Sequence, residues 1–185
     1  MVARLPTREY QRYNAPVPVE KLTRARVIEA LNLLGKLAAE ENLTLELCIY
    51  GGSAMMLAYG ARGATKDVDI VAKPSEAAHR LAQAVAERLN LQPAWLNDDV
   101  RRYTSIDGTF APLRIQELER TANERLKITR PSASYLLAMK CLAGRAPLPG
   151  FAGDLEDIKF LVRKMGIKTV EEVESHLVKF YPQET

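Results

Sequence analysis

Gly51-Gly52-Ser53, a short apolar run to Tyr59, and then Lys66-Asp67-Val68-Asp69-Ile70-Val71 form the stretch on which the fold turns. The residues before it, Leu45-Glu46-Leu47-Cys48-Ile49-Tyr50, read as a buried strand. The glycine pair therefore falls where a strand gives way to a helix running from Ser53 to Tyr59. A helix N-terminus leaves backbone N–H groups without intrahelical partners, which suits a phosphate. Glycine lets a ligand approach that backbone, and the Ser53 hydroxyl can donate to a phosphate oxygen. The turn is not the six-position dinucleotide fingerprint and lacks the lysine–serine pair of a P-loop. Alone, it reads equally well as a tight turn with a serine cap.

The second half of the stretch changes that weighting. Strand side chains alternate between faces, so Asp67 and Asp69 point one way while Val68 and Ile70 point into the core. Neighbouring carboxylates repel, and a hard divalent cation is the simplest reason to keep them together. An EF-hand is excluded because Val71 and Ala72, not oxygen ligands, follow Asp69. Exposed charges are common on strands, but this pair follows closely on the Gly-Gly-Ser turn. The combination points to nucleotide chemistry, in which two carboxylates share a pair of Mg²⁺ ions that hold a triphosphate. Lys66, next to Asp67, is a further candidate for nucleotide binding.

Working outward, residues 1–17 carry Arg4, Arg8 and Arg12 among prolines and read as a basic extended arm. From about Val19 to Glu41, Val27, Ala30, Leu31, Leu34, Leu37 and Ala38 recur at helical spacing. Beyond the Asp67–Ala72 strand, Pro74-Ser75 opens a helix with Ser75 as N-cap and Ala78, Leu81, Ala82, Val85 and Leu89 inside. Trp95-Leu96-Asn97-Asp98-Asp99 reads as a structured turn before a short helix. Ile106–Ile115 holds one or two strands, and Leu126–Thr129 another that ends at Arg130-Pro131. Three helices follow: Ser132–Ala143, Asp154–Met165, and Thr169 to about Tyr181. Gly144 and Pro147-Leu148-Pro149-Gly150 join the first two. The expectation is an α/β protein, with a small mixed-sheet core over 18–130 and a helical portion over 131–185 packed on the active site.

Lys140 lies in a helix that is apolar on almost every side. Its ammonium either snorkels to solvent on its long stem or clamps a nucleotide phosphate as a point charge. Asp154 and Asp157 open the next helix on neighbouring surface positions. They read as a cap and helix-dipole arrangement, or as partners of Lys140, or as completion of the metal site.

Composition sets the outer limits. A chain of 185 residues, 47% apolar and 26% charged, is of a size and balance to bury one ordinary core. Cys48 and Cys141 sit far apart in apolar segments and read as reduced thiols, with no disulfide scaffold or zinc pattern. His79 and His176 occupy polar helix positions and read as solvated. The net charge of +3 suits an anionic partner without requiring one. There is no apolar signal core at the N-terminus and no membrane-length run, so a cytoplasmic protein without a membrane partner is expected.

These motifs, in order from about Ile49 to Val162, resemble the DNA polymerase β-like nucleotidyltransferase superfamily. Gly51-Gly52-Ser53 through Asp67-Val68-Asp69 is similar to its signature. Leu136-Leu137-Ala138-Met139-Lys140 and Gly153-Asp154-Leu155-Glu156-Asp157-Ile158 resemble the lysine and aspartate motifs of its abortive-infection and toxin branch. The resemblance implies that Gly51, Gly52 and Ser53 bind the triphosphate and that Asp67 and Asp69 hold Mg²⁺. It further implies that Lys140 contacts phosphates and that Asp154 or Asp157 is a late catalytic carboxylate. It implies an NTP substrate, a tRNA 3′ end as acceptor, and a toxin that has a cognate antitoxin. AMP transfer to a protein or small molecule, or a non-catalytic nucleotide-binding module, are the alternatives. Superfamily members place a third metal carboxylate on a later strand, for which Asp107, Glu117 and Glu119 are the candidates. Arg101, Arg102, Arg120, Arg125, Lys127 and Arg130 are read as a basic region for a phosphate backbone.

Overall fold

The computed structural model describes residues 21–146 and 153–182. The arm expected over 1–17 and the Pro147–Gly150 connection lie outside the described residues. A short strand β1 (Leu22–Thr23) leads into helix α1 (Arg24–Glu40), capped by the Thr23 side chain accepting from the Arg26 N–H. Along α1 the apolar stripe is buried at Val27, Ala30, Leu31, Leu34 and Ala38, at helical spacing. Then follow β2 (Leu45–Ile49), α2 (Gly51–Tyr59), β3 (Ala64–Thr65), β4 (Val68–Lys73) and α3 (Ser75–Leu89). After β5 (Leu96–Asn97) and a 3₁₀ turn (Asp99–Tyr103) come β6 (Phe110–Pro112), α4 (Arg120–Arg125) and β7 (Leu126–Pro131). Helices α5 (Ala133–Ala143), α6 (Leu155–Met165) and α7 (Val170–Phe180) complete the described chain.

The five-stranded sheet has the order β5-β4-β2-β7-β6. β2 runs antiparallel to β4 and parallel to β7, β4 runs parallel to β5, and β6 runs antiparallel to β7, so the sheet is mixed as expected. Leu45, Leu47 and Ile49 of β2, with Val68, Ile70 and Ala72 of β4, enter the main core against α1 and α3. The opposite face carries Cys48, Tyr50 and Val71. It is covered by Tyr135, Ala138 and Met139 of α5 and by Phe180 and Tyr181 at the end of α7. The helical portion therefore packs on the same sheet face that carries Asp69, because face follows from strand period.

Three local expectations need correction. The helix after β2 begins at Gly51, not Ser53. Pro74 occupies the N-cap position of α3, so Ser75 is the first helical residue and makes no cap. α4 was not foreseen because six residues are too few for a period to show. Its place is fixed by contact: a Cβ on Gly35 of α1 would lie 2.7 Å from the Ala122 Cβ, so the two helices touch backbone to backbone. Cys48 and Cys141 are free, as read, but only half-buried.

Candidate active site

Asp69 on β4 stands beside the entry to α2. The Tyr50 N–H donates to the Asp69 carbonyl at 2.9 Å, which brings the end of β2 alongside Asp69. Gly51 follows at φ +58°, a conformation that costs a residue with a Cβ, and a Cβ there would run into Asp69 Oδ2. The Ala54 N–H donates to the Tyr50 carbonyl at 3.0 Å as the first helical bond. The N–H groups of Gly51 and Gly52 thus form the accessible, electropositive end of α2, with the Asp69 carboxylate next to it.

Asp67 and Asp69 are both half-buried, and among the described residues neither forms an ion pair. Burial, then the Asp67 charge beside it, pushes Asp69 up to about 6, against the pull of Arg145 and Lys140. Burial also raises Asp67 above the ordinary carboxylate range, with Asp99 adding to the rise and Lys66, Arg145 and an Asn97 hydrogen bond opposing it. Asn97 and Asp99 are read from the sequence as part of a structured turn, without a place at the site. Their only signal was the polar turn after Trp95, which β5 pairing to β4 brings alongside, with Asp69 opposite Asn97.

The Lys140 ammonium neither snorkels to solvent nor stands open to a phosphate. It is 3% exposed and is held by Asp154 Oδ1 at 2.7 Å and Asp157 Oδ2 at 2.8 Å. Of the readings for Asp154 and Asp157, partnership with Lys140 is observed, and Asp154 also occupies the N-cap position of α6, with Asp157 in its first turn. Asp157 is also gripped by Arg62, through Nε at 2.7 Å and Nη2 at 2.6 Å. Asp154 receives Arg145 through Nε at 2.8 Å and Nη2 at 3.1 Å, with the Arg145 N–H at 3.2 Å. Burial alone would raise Asp154, yet the Arg145 and Lys140 hydrogen bonds outweigh it and hold the group at about 2. Five charges thus tie the connection after α2 to α5 and α6. The cause is physical: a lysine in an apolar helix can be buried only if carboxylates come with it. Arg62 and Arg145 were missed because each lies in a connection without a periodic pattern.

Ser53 is also corrected. The whole residue is buried and its hydroxyl donates to the Tyr50 carbonyl at 2.8 Å, so it offers no hydroxyl to a phosphate, and the accessible part of the turn is Gly51 and Gly52. Lys66 is exposed beside Asp67, where its charge acts on that carboxylate. The candidates for a third carboxylate are elsewhere: Glu117 pairs with Arg24, Glu119 with Lys36, each at 2.9 Å, and Asp107 lies exposed in a turn. The basic region is divided among separate elements. Arg120 pairs with Glu124, Arg125 bonds to Asn42, and Arg130 lies over the Tyr59 ring, while Arg101 and Arg102 pair with Asp98 and Asp99 on the 3₁₀ turn. A recess of about 700 Å³ between α1 and the Glu117–Glu119 segment shares no residue with the carboxylate pair.

Among the described residues no group of three or more His, Cys, Asp or Glu side chains is gathered to hold an ion. The pair Asp67 and Asp69 nevertheless fits Mg²⁺, which is commonly bound by one or two carboxylates, with water and substrate phosphates completing the shell. They are hard oxygen donors, two residues apart, and neither has a paired cation among the described residues. A divalent ion would offset the burial and the neighbouring Asp67 charge that raise Asp69.

Residues 25–173 match a family model described as a nucleotidyltransferase of unknown function, DUF6036. No curated protein and no solved structure matches the chain.

Proposed function

The chain belongs to this nucleotidyltransferase family, and from that premise we propose that it moves a nucleoside monophosphate from an NTP onto a hydroxyl of RNA, with Mg²⁺. The observation that carries the reading is the pair Asp67 and Asp69, neither in an ion pair among the described residues, with the Asp69 carboxylate beside the N–H end of α2 at Gly51 and Gly52. Asp67 and Asp69 would hold the metal, and the α2 N-terminus would seat the phosphates. When bound, Mg²⁺ supplies charge neutralisation on the phosphates and lowers the proton affinity of the acceptor hydroxyl. In the transfer, the acceptor oxygen bonds to the α-phosphorus as the bond to the β-phosphate oxygen breaks. The hydroxyl proton is lost and pyrophosphate leaves.

The chain's own residues orient this exchange. Gly51 permits the Asp69 carboxylate to lie against the first turn of α2. The Lys140–Asp154–Asp157 cluster holds α5 and α6 in register beside the carboxylate sheet. RNA is favoured as acceptor by the exposed Arg101 and Arg102 on the 3₁₀ turn next to β4, with Arg102 lying 5.6 Å from the Tyr103 ring.

The test is incubation of the protein with each labelled NTP, Mg²⁺ and total bacterial tRNA, beside Asp67→Ala/Asp69→Ala. Label on RNA with wild type alone supports the proposal. Label on protein would move the acceptor to a protein hydroxyl, and no label on any acceptor counts against transfer.

A further inference from the structure

Arg62 stands where a triphosphate would arrive. It lies in the connection between Tyr59 and Ala64, held at one end by Gly60 in a left-handed turn and at the other by the β1–β3 pairing. Its Nε and Nη2 bind Asp157, and Nη2 also donates to the Gly153 carbonyl at 3.2 Å. These bonds fix the plane of the guanidinium. They leave Nη1 on the opposite edge, with no hydrogen-bond partner among the described residues. That edge faces the first turn of α2: a Cβ on Gly52 would lie 3.2 Å from Nη1 and 3.0 Å from Thr65 Oγ1. Gly52 is thus the residue that lets the guanidinium close on the turn.

The placement is unfavourable as it stands. A cation at the positive end of a helix is repelled. Asp157 offsets this only in part, because it also serves Lys140 at 2.8 Å. An anion seated on the N–H groups of Gly51 and Gly52 would turn that repulsion into attraction, with Nη1 as a further donor. The Arg62 side chain is 21% exposed, whereas Lys140 is sealed at 3%.

We propose that Arg62 grips the polyphosphate chain of the nucleotide, the task the sequence reading assigns to Lys140. The inference rests on the nucleotidyltransferase reading above. Guanidinium suits the task because its fixed fork can hold Asp157 with two N–H groups and a phosphate oxygen with a third. Lysine, a compact charge on a flexible stem, cannot do both.

The experiment measures binding of α,β-methylene analogues of the four NTPs, and of the matching nucleoside monophosphates, with Mg²⁺. Wild type, Arg62→Lys and Arg62→Ala are compared, with melting curves to follow folding. The expected result is that the advantage of triphosphate over monophosphate shrinks about tenfold in both variants, including the charge-preserving one. As a measurement that needs no variant, phenylglyoxal labelling of wild type is mapped by mass spectrometry with and without inorganic tripolyphosphate and Mg²⁺, and Arg62 is expected to be protected. An unchanged triphosphate advantage in Arg62→Lys, or equal labelling of Arg62 with and without tripolyphosphate, overturns the inference and leaves the nucleotidyltransferase reading standing. Failure of wild type to bind any triphosphate analogue overturns both.

Discussion

Replacing Lys140 by methionine separates two physical roles that a lysine in an apolar helix can have. The side chain is 3% exposed, with carboxylate oxygens at 2.7 and 2.8 Å, and those carboxylates are 1% and 3% exposed. Methionine keeps the stem's volume and removes the charge. Asp154 then retains Arg145 and Asp157 retains Arg62, so neither carboxylate is wholly uncompensated. The cost is therefore set at the lower end of the range for breaking a buried pair, about 3 kcal/mol. For a chain of this size the melting temperature should fall by roughly 6–12 °C. Urea unfolding of the ligand-free protein measures the first quantity and a thermal melt the second. A second variant sharpens the result: in a double-mutant cycle with Asp157→Asn the two changes should be non-additive by about 1–3 kcal/mol. If Lys140→Met unfolds within about 1 kcal/mol of wild type while losing NTP affinity, the lysine is an open phosphate clamp and the buried-cluster argument is wrong.

Further outcomes follow from the carboxylates and the turn. Asp69→Asn should abolish transfer and the rise in melting temperature on adding Mg²⁺, while leaving the metal-free protein as stable as wild type or more so near neutral pH, since a mutual repulsion is removed; calorimetry with and without Mg²⁺ checks this. The pH dependence has a definite sign. Asp69 binds its proton more tightly folded (about 6) than at the ordinary value of 3.8, so in metal-free buffer its contribution is present at low pH and is lost as pH rises through about 6. Because that proton competes with the metal, Mg²⁺ should raise the melting temperature more near neutrality than well below pH 6, and equal shifts would contradict the assignment. Asp154 has the opposite sign: held at about 2, it stabilises the fold above the ordinary 3.8 and loses that effect as pH falls towards 2, so Asp154→Asn should flatten the acid limb of a stability profile. Gly51→Ala should cost about 1–2 kcal/mol from the left-handed backbone alone, and more from the collision with Asp69, with transfer activity lost; retained activity would show that the turn can be remade.

The elements with a clear period were legible. The stripe of α1, the alternation of β4 and the apolar run of β2 each identify their own buried face, because burial repeats with the geometry of the backbone. The pair Asp67 and Asp69 was legible for the same reason. Short elements were legible only coarsely or not at all: β6 falls within the one or two strands expected over Ile106–Ile115, whereas β5 and α4 span too few residues for a period, and their positions come from pairing with β4 and from the close approach at Gly35. Lys140 was legible as an anomaly, a charge where an apolar residue was due, but its partners were not.

The amino-acid order alone therefore determined the strand–turn–helix entry and the alternation that buries Val68 and Ile70 and leaves Asp69 between them on the other face, with Asp67 just before the strand, since both are consequences of local backbone geometry. Only the tertiary structure decided which charges meet. Arg62, Lys140, Arg145, Asp154 and Asp157 come from the connection after α2, from α5 and its C-terminal end, and from the start of α6, and they touch because the helical portion folds back on the sheet. The partners of a buried charge are chosen by proximity in space and by the cost of desolvation, and neither quantity is written in the spacing of residues along the chain.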